Sequence, residues 1–232
     1  MSFFTSLGIV LISMLIQAIL QVNPSVFAIF YHSALAKKSR VKADNLSLSF
    51  ILGTEIFVAL MLVVLYLVFL FIFMDNPNFF EGIFAWLMVG VFFAVFVSSL
   101  LFYFRDGNGT RLYLPRKITN GLVLRAEKVK TRLDAILLGF ISSTFELVFT
   151  LPLFIIVIIQ ILNFSAGTRC VVVLSYILMS IVPLFVMRGF YRSHHNLAEI
   201  QKWRTKKKLA IRLSISLLYL CLTFLVIYLG VF

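Results

Sequence analysis

The chain reads as an all-α integral membrane protein: six transmembrane helices in an inverted 3+3 repeat, with both termini outside. Three observations predict this. The 232 residues are 62% hydrophobic, with 26 phenylalanines and a strongly positive mean hydropathy. Six apolar runs are long enough to be spans, and nearly all the basic residues fall in alternate connections. A soluble domain of this size has no core large enough for so much apolar side chain.

The runs are 4–30, 48–74, 83–104, 135–162, 170–187 and 213–232. At ~1.5 Å rise per residue each approaches or exceeds a hydrocarbon core of ~30 Å. The first run starts at Phe3 with no basic leader and no small-residue cleavage pattern, so it is expected to be a retained helix. The connections Asp75-Asn76-Pro77-Asn78 and Asn163-Phe164-Ser165-Ala166-Gly167 are short, with the Asn, Pro and Gly of tight turns. The other connections are longer and basic. This divides the chain into a first three-helix repeat (1–104), a basic cytoplasmic connector (105–134) and a second three-helix repeat (135–232).

Charge sets the expected orientation. The three long connections carry 20 of the 21 Lys and Arg residues, and Arg169 alone lies on the other side. The positive-inside rule makes the basic side cytoplasmic. A net charge of +12 distributed this way fits topology and anionic headgroups, not nucleic acid. In the connector, Ile118, Leu122, Ala126, Val129 and Leu133 recur at three- and four-residue steps among basic residues. They predict a basic amphipathic helix, lying on the membrane surface or packed under the bundle.

The informative residues lie inside the apolar runs. Glu146 stands about eleven residues into the fourth run, near mid-bilayer, where an acidic side chain costs roughly 2.5–3.5 kcal/mol. Ser142, Ser143, Glu146 and Thr150 share one helical face, and Pro152 follows. The first run repeats the plan with Ser13, Gln17 and Gln21, then Asn23, Pro24 and Ser25. Prolines at 24 and 152 free backbone carbonyls, which are tolerated where protein or a cavity satisfies them. The expected pathway for a solute or ion is therefore Gln17, Gln21, Asn23, Glu55, Ser143, Glu146 and Thr150, with helix breaks at Pro24 and Pro152. The competing reading is that these groups only hold helices together. Glu55 is a second intramembrane acid, ~10 Å from an edge drawn at Leu48. If it reaches Glu146, the two carboxylates can share a proton.

Other chemistries find little support. Cys170 and Cys221 have no metal or redox spacing, and the adjacent pair His194-His195 points in two directions on a helix, so no metal or cofactor is expected. There is no phosphate-binding loop, and two isolated glutamates do not make an intramembrane enzyme.

From Asn23-Pro24-Ser25, through a basic loop, to Leu52-Gly53-Thr54, the chain resembles the lysine-exporter superfamily, and within it the CcdA-type membrane electron carriers of cytochrome c maturation. The resemblance implies two inverted three-helix halves, each with a proline-cysteine in its first helix. Here Ser25 follows Pro24 and Leu153 follows Pro152, so both redox cysteines are missing. What carries over is the scaffold, without the thiol relay. The cation-exporter branch, with Glu-x-Gly-Asp-Lys/Arg-Thr/Ser, is no better matched, because neither Glu55 nor Glu146 is followed by that motif.

The expected function is a secondary-type transporter or exporter of a small solute or cation. The alternative is a non-transporting scaffold or assembly factor with basic cytoplasmic loops. Expected partners are the bilayer, anionic lipids at those loops, and the solute or ion, with room for a homo-oligomer. The expected location is a bacterial cytoplasmic membrane.

Overall fold

The computed structural model describes residues 3–20, 26–27, 29–31, 33–34, 39–75, 83–103, 116–193, 210 and 213–228. Every element among them is helical: α1 (Phe3–Leu20), α2 (Arg40–Asp75), α3 (Ile83–Tyr103), α4 (Arg116–Lys128), α5 (Arg132–Leu162), α6 (Ala166–Ser193) and α7 (Leu213–Tyr228). Each of the six apolar runs overlaps one of these helices. Two stretches are long and apolar enough to cross a membrane, Val41–Ile72 and Ala166–Arg192, and a third if both arms of the bent α5 form one span. The apolar parts of α1, α3 and α7, Phe4–Ile19, Phe84–Leu100 and Leu213–Tyr228, are shorter. Leu52, Ile56, Leu60 and Val63 on α2 and Leu174, Leu178 and Val182 on α6 are exposed at helical spacing, as lipid-facing side chains must be.

The start of α5 is set locally. Thr131 Oγ1 accepts from the Asp134 backbone N–H at 3.2 Å, while Asp134 Oδ2 accepts from the N–H groups of Thr131 at 2.9 Å and Lys130 at 3.1 Å. This reciprocal capping box satisfies donors that a helix start leaves open. Sequence signals marked Leu133 as part of the connector's apolar face, but it is exposed at the beginning of α5. In α4, by contrast, Leu122 and Ala126 are buried against Tyr31, Phe50 and Leu138, so this helix packs under the bundle.

α2 and α5 form the most extensive interface. They cross where both lack side chains. A Cβ added to Gly53 would collide with the Ile136 carbonyl, and one added to Gly139 with the Phe50 carbonyl. Only glycine at both positions lets the two backbones come this close.

Polar contacts also tie α2 to α6, and they keep one antiparallel register. At one end Asp44 Oδ2 lies 3.8 Å from Arg188 and 3.7 Å from Arg192, and Tyr31 donates to Asp44 Oδ1 at 3.1 Å. In the middle Ser180 meets Glu55. At the other end Arg169 donates to the Tyr66 hydroxyl at 3.2 Å. Asp44, Glu55 and Tyr66 follow one another at three-turn intervals, so Glu55 stands about 16 Å from either polar end. The apolar stretch long enough to cross a membrane, Val41–Ile72, thus begins before Leu48, where the sequence reading drew its edge.

Arg169, the one basic residue separated from the rest, has a local role. Its Nε donates to the Phe164 carbonyl at 2.7 Å and an Nη to the Leu162 carbonyl at 2.8 Å. It therefore caps the end of α5 as well as reaching α2. Arg169→Ala should cost about 2 kcal/mol, since charge-assisted bonds to the α5 carbonyls are lost. Arg169→Lys should recover only part of this, because one ammonium cannot reproduce the planar fork. Chemical unfolding in detergent reads both; an unchanged midpoint for Arg169→Ala would remove the capping role.

Candidate functional site

The buried apolar residues form two clusters, and three helices, α2, α5 and α6, pass from one to the other. The first cluster contains Ile9–Ile16 of α1, Val58–Phe69 of α2, Leu153–Leu162 of α5 and Val172–Tyr176 of α6. The second contains Val26–Tyr31, Leu46–Ile51 of α2, Ala135–Leu138 of α5 and Leu184–Tyr191 of α6. Between them, these helices carry polar or small residues, Gly53-Thr54-Glu55 on α2, Ser142, Ser143, Glu146 and Thr150 on α5, and Ser180 on α6, and Gln17 of α1 stands at the edge of the first cluster, next to Ile16. A polar belt therefore crosses the interior between two apolar layers.

The α5 face supplies most of the belt. Ser142, Ser143, Glu146 and Thr150 are all buried, Glu146 to 4% exposure. A carboxyl group turned into the bundle at this depth avoids lipid but needs polar company, because burying it alone is costly. The hydroxyls bond partly to their own helix. Ser142 and Ser143 donate to the Gly139 carbonyl at 2.9 and 3.0 Å, and Thr150 to the Glu146 carbonyl at 3.2 Å. Such back-bonding accommodates hydroxyls inside a helix and often bends it.

The bend is sharp. The arms Arg132–Leu147 and Phe149–Leu162 meet at 82°. Its place follows from Pro152, which has no N–H for the carbonyl four residues earlier, at Val148, and whose ring crowds that carbonyl. Tyr219 of α7, fully buried, donates to the next carbonyl, Phe149 O, at 3.1 Å. Glu146 is thus placed just before the break, and a phenol from another helix braces the far side.

On α1, Gln17 is 3% exposed and Ser13 is fully buried. Gln17 Oε1 and Ser13 Oγ meet no hydrogen-bond partner among the described residues; the same holds for Gln160 Oε1 on α5 and Ser216 Oγ on α7. Buried polar atoms without partners are rare, and where they occur they commonly face water or a ligand. Gln21, Asn23 and Pro24 lie outside the described residues, as does His194-His195.

Glu55 belongs to the belt by level, but its contact runs to α6. Ser180 Oγ is 2.9 Å from Glu55 Oε1, 3.1 Å from Oε2 and 2.8 Å from the Ile177 carbonyl. Sequence reading gives Ser180 a polar contact and Tyr219 a packing role, and assigns neither a site. Ser180 stands at helical spacing with Tyr176 and Pro183, a visible polar interruption, whereas nothing local marks Tyr219 as a brace. Among the described residues no three His, Cys, Asp or Glu side chains gather as a metal site. No protein-family model matches the chain, and neither a curated protein nor a solved structure matches it significantly.

Proposed function

We propose that this chain is a secondary-type membrane transporter or exporter of a small solute or cation, working by alternating access around the broken α5. The observation that carries this is the polar belt, with Glu146 buried at the edge of an 82° helix break. Interrupted helices with polar side chains at bilayer depth are the usual setting of such sites. The unpartnered Gln17 and Ser13 oxygens on α1 add polar groups ready for a visiting solute or water. In this reading the six apolar helices are six spans in an inverted 3+3 arrangement, both termini outside a bacterial cytoplasmic membrane. Kinship with the lysine-exporter superfamily would supply the same scaffold.

One observation favours a scaffold or assembly factor instead. The Ser142, Ser143 and Thr150 hydroxyls are spent on their own helix, and basic α4 packs under the bundle where a partner can dock. Glu146→Gln separates the two. Purified protein in proteoliposomes is assayed for efflux of a panel of labelled amino acids and mono- and divalent cations. A transporter loses at least about tenfold in flux, one coupling interaction of ~1.4 kcal/mol, while its elution profile and unfolding midpoint hold. No flux from the unaltered protein for any member of the panel, or flux indifferent to the substitution, favours the scaffold.

A further inference from the structure

We propose that the end of α6 holds one anionic phospholipid. Its phosphate is taken by Arg188 and Arg192 beside Asp44, and its acyl chains lie on the exposed apolar stripe that leads up to them. Three features point to it. First, the donors of Arg188 are not used within the protein. Its Nε is buried and meets no hydrogen-bond partner among the described residues, and its ion pair with Asp44 Oδ2, at 3.8 Å, is too long for a hydrogen bond. Arg169, toward the other end of the same helix, places its Nε and both Nη groups on two carbonyls and the Tyr66 hydroxyl. A guanidinium covered without a bond costs free energy that an outside acceptor recovers. The Arg188 side chain is already 19% exposed, and turning its flexible stem outward brings a planar fork, suited to phosphate, to the surface.

Second, the site stands at headgroup depth with an apolar track beneath it. Arg169 and Arg188 are 19 residues apart on α6, about 28 Å at 1.5 Å per residue, close to a hydrocarbon thickness of about 30 Å. Between them Leu174, Leu178, Val182 and Phe185 are exposed at three- and four-residue steps, and Arg188 and Arg192 continue the same steps. A chain lying along this stripe brings its own headgroup to the two arginines. Third, the charges leave an anion wanting. Two guanidiniums face one carboxylate, which also accepts from Tyr31, so one positive charge is in excess. α4, buried into the same end through Leu122 and Ala126, exposes Arg125 and Lys128 and adds to the positive field. A monoanionic phosphodiester balances the excess, and a zwitterionic headgroup does not. Diffuse attraction of basic loops to a membrane requires no particular arginine; this site does.

The site is independent of the transport reading, so its test needs no flux. Full-length protein in a non-ionic detergent is titrated with dioleoylphosphatidylglycerol, dioleoylphosphatidylcholine or inorganic phosphate, and the complexes are read by native mass spectrometry. The first phosphatidylglycerol should bind at least about tenfold tighter than phosphatidylcholine, and inorganic phosphate should not displace it. Arg188→Gln should lower phosphatidylglycerol affinity about tenfold, the effect of one charge-assisted hydrogen bond. Arg188→Lys should recover part of it, and Lys128→Gln on α4 should leave it unchanged. A second arm uses the unaltered protein: phosphatidylglycerol carrying a diazirine in an acyl chain should, on photolysis, mark residues 174–192. Equal losses from Arg188→Gln and Lys128→Gln would make the attraction diffuse and overturn the proposal. Equal binding of phosphatidylcholine, displacement by inorganic phosphate, or photo-adducts absent from residues 174–192 overturn it as well.

Discussion

Alanine at Gly139 is expected to lower stability by about 2 kcal/mol. Forcing a methyl group into a filled contact costs about 3 kcal/mol at the upper end of overpacking effects. Alanine in place of glycine inside a helix returns about 1 kcal/mol. The cost dominates because the atom in the way is the Phe50 backbone carbonyl, not the tip of a flexible side chain. Relief requires moving α2 away from α5 along their whole crossing. Gly53→Ala meets the Ile136 carbonyl and should behave alike, and the double variant should cost less than the sum, since one separation serves both. Gly90 of α3 is the control: a Cβ there meets nothing within 4 Å, so Gly90→Ala should be neutral or stabilising by up to about 1 kcal/mol. Unfolding midpoints in detergent decide, and equal behaviour of Gly90 and Gly139 would mean the helices do not touch there.

Pro152→Ala should act in the opposite sense on stability. Alanine restores the hydrogen bond to the Val148 carbonyl and removes the ring's clash, a helix-interior difference of about 3 kcal/mol. Against it stands the Tyr219 bond to Phe149 O, about 1 kcal/mol, with the apolar packing of the second arm. α5 should therefore straighten and the unfolding midpoint should not fall, and under the proposed transport reading flux should be lost because Glu146 is no longer beside a break. Spin labels at exposed Leu137 and Asn163 read the geometry: at 1.5 Å per residue their separation grows from about 30 Å to about 39 Å on straightening. An unchanged distance would show that neighbouring helices, and not the proline, impose the bend.

Much of the architecture was legible in the chain. Apolar runs with Asn, Pro and Gly between them mark helices, because helix formation and turn chemistry are local. The serine–glutamate–threonine face of α5 and the Ser13/Gln17 stripe of α1 could be read from spacing alone, because residues three and four apart share a face. Their burial is the cheapest place for polar groups in a membrane helix. The two residues that most change the picture, Ser180 and Tyr219, could not be read this way. Each acts on a group far away in sequence, Glu55 and the Phe149 carbonyl.

By itself, then, the sequence determined that this is a helical protein with crossing-length apolar helices, that nearly all its basic residues fall in three of the connections between apolar runs, and that acids and amides stand inside those runs. These follow from composition and short-range periodicity. Only the tertiary structure decided the helix partners: α2 against α5 at two glycines, Glu55 with Ser180, and a break of α5 braced from α7. The physical reason is that α2 is apolar on all sides from Ile56 to Phe73 except at Tyr66, so its pattern alone names no preferred neighbour. Rotation and register between such helices are set by where backbones can approach and where a few polar atoms find one another, and both are properties of pairs.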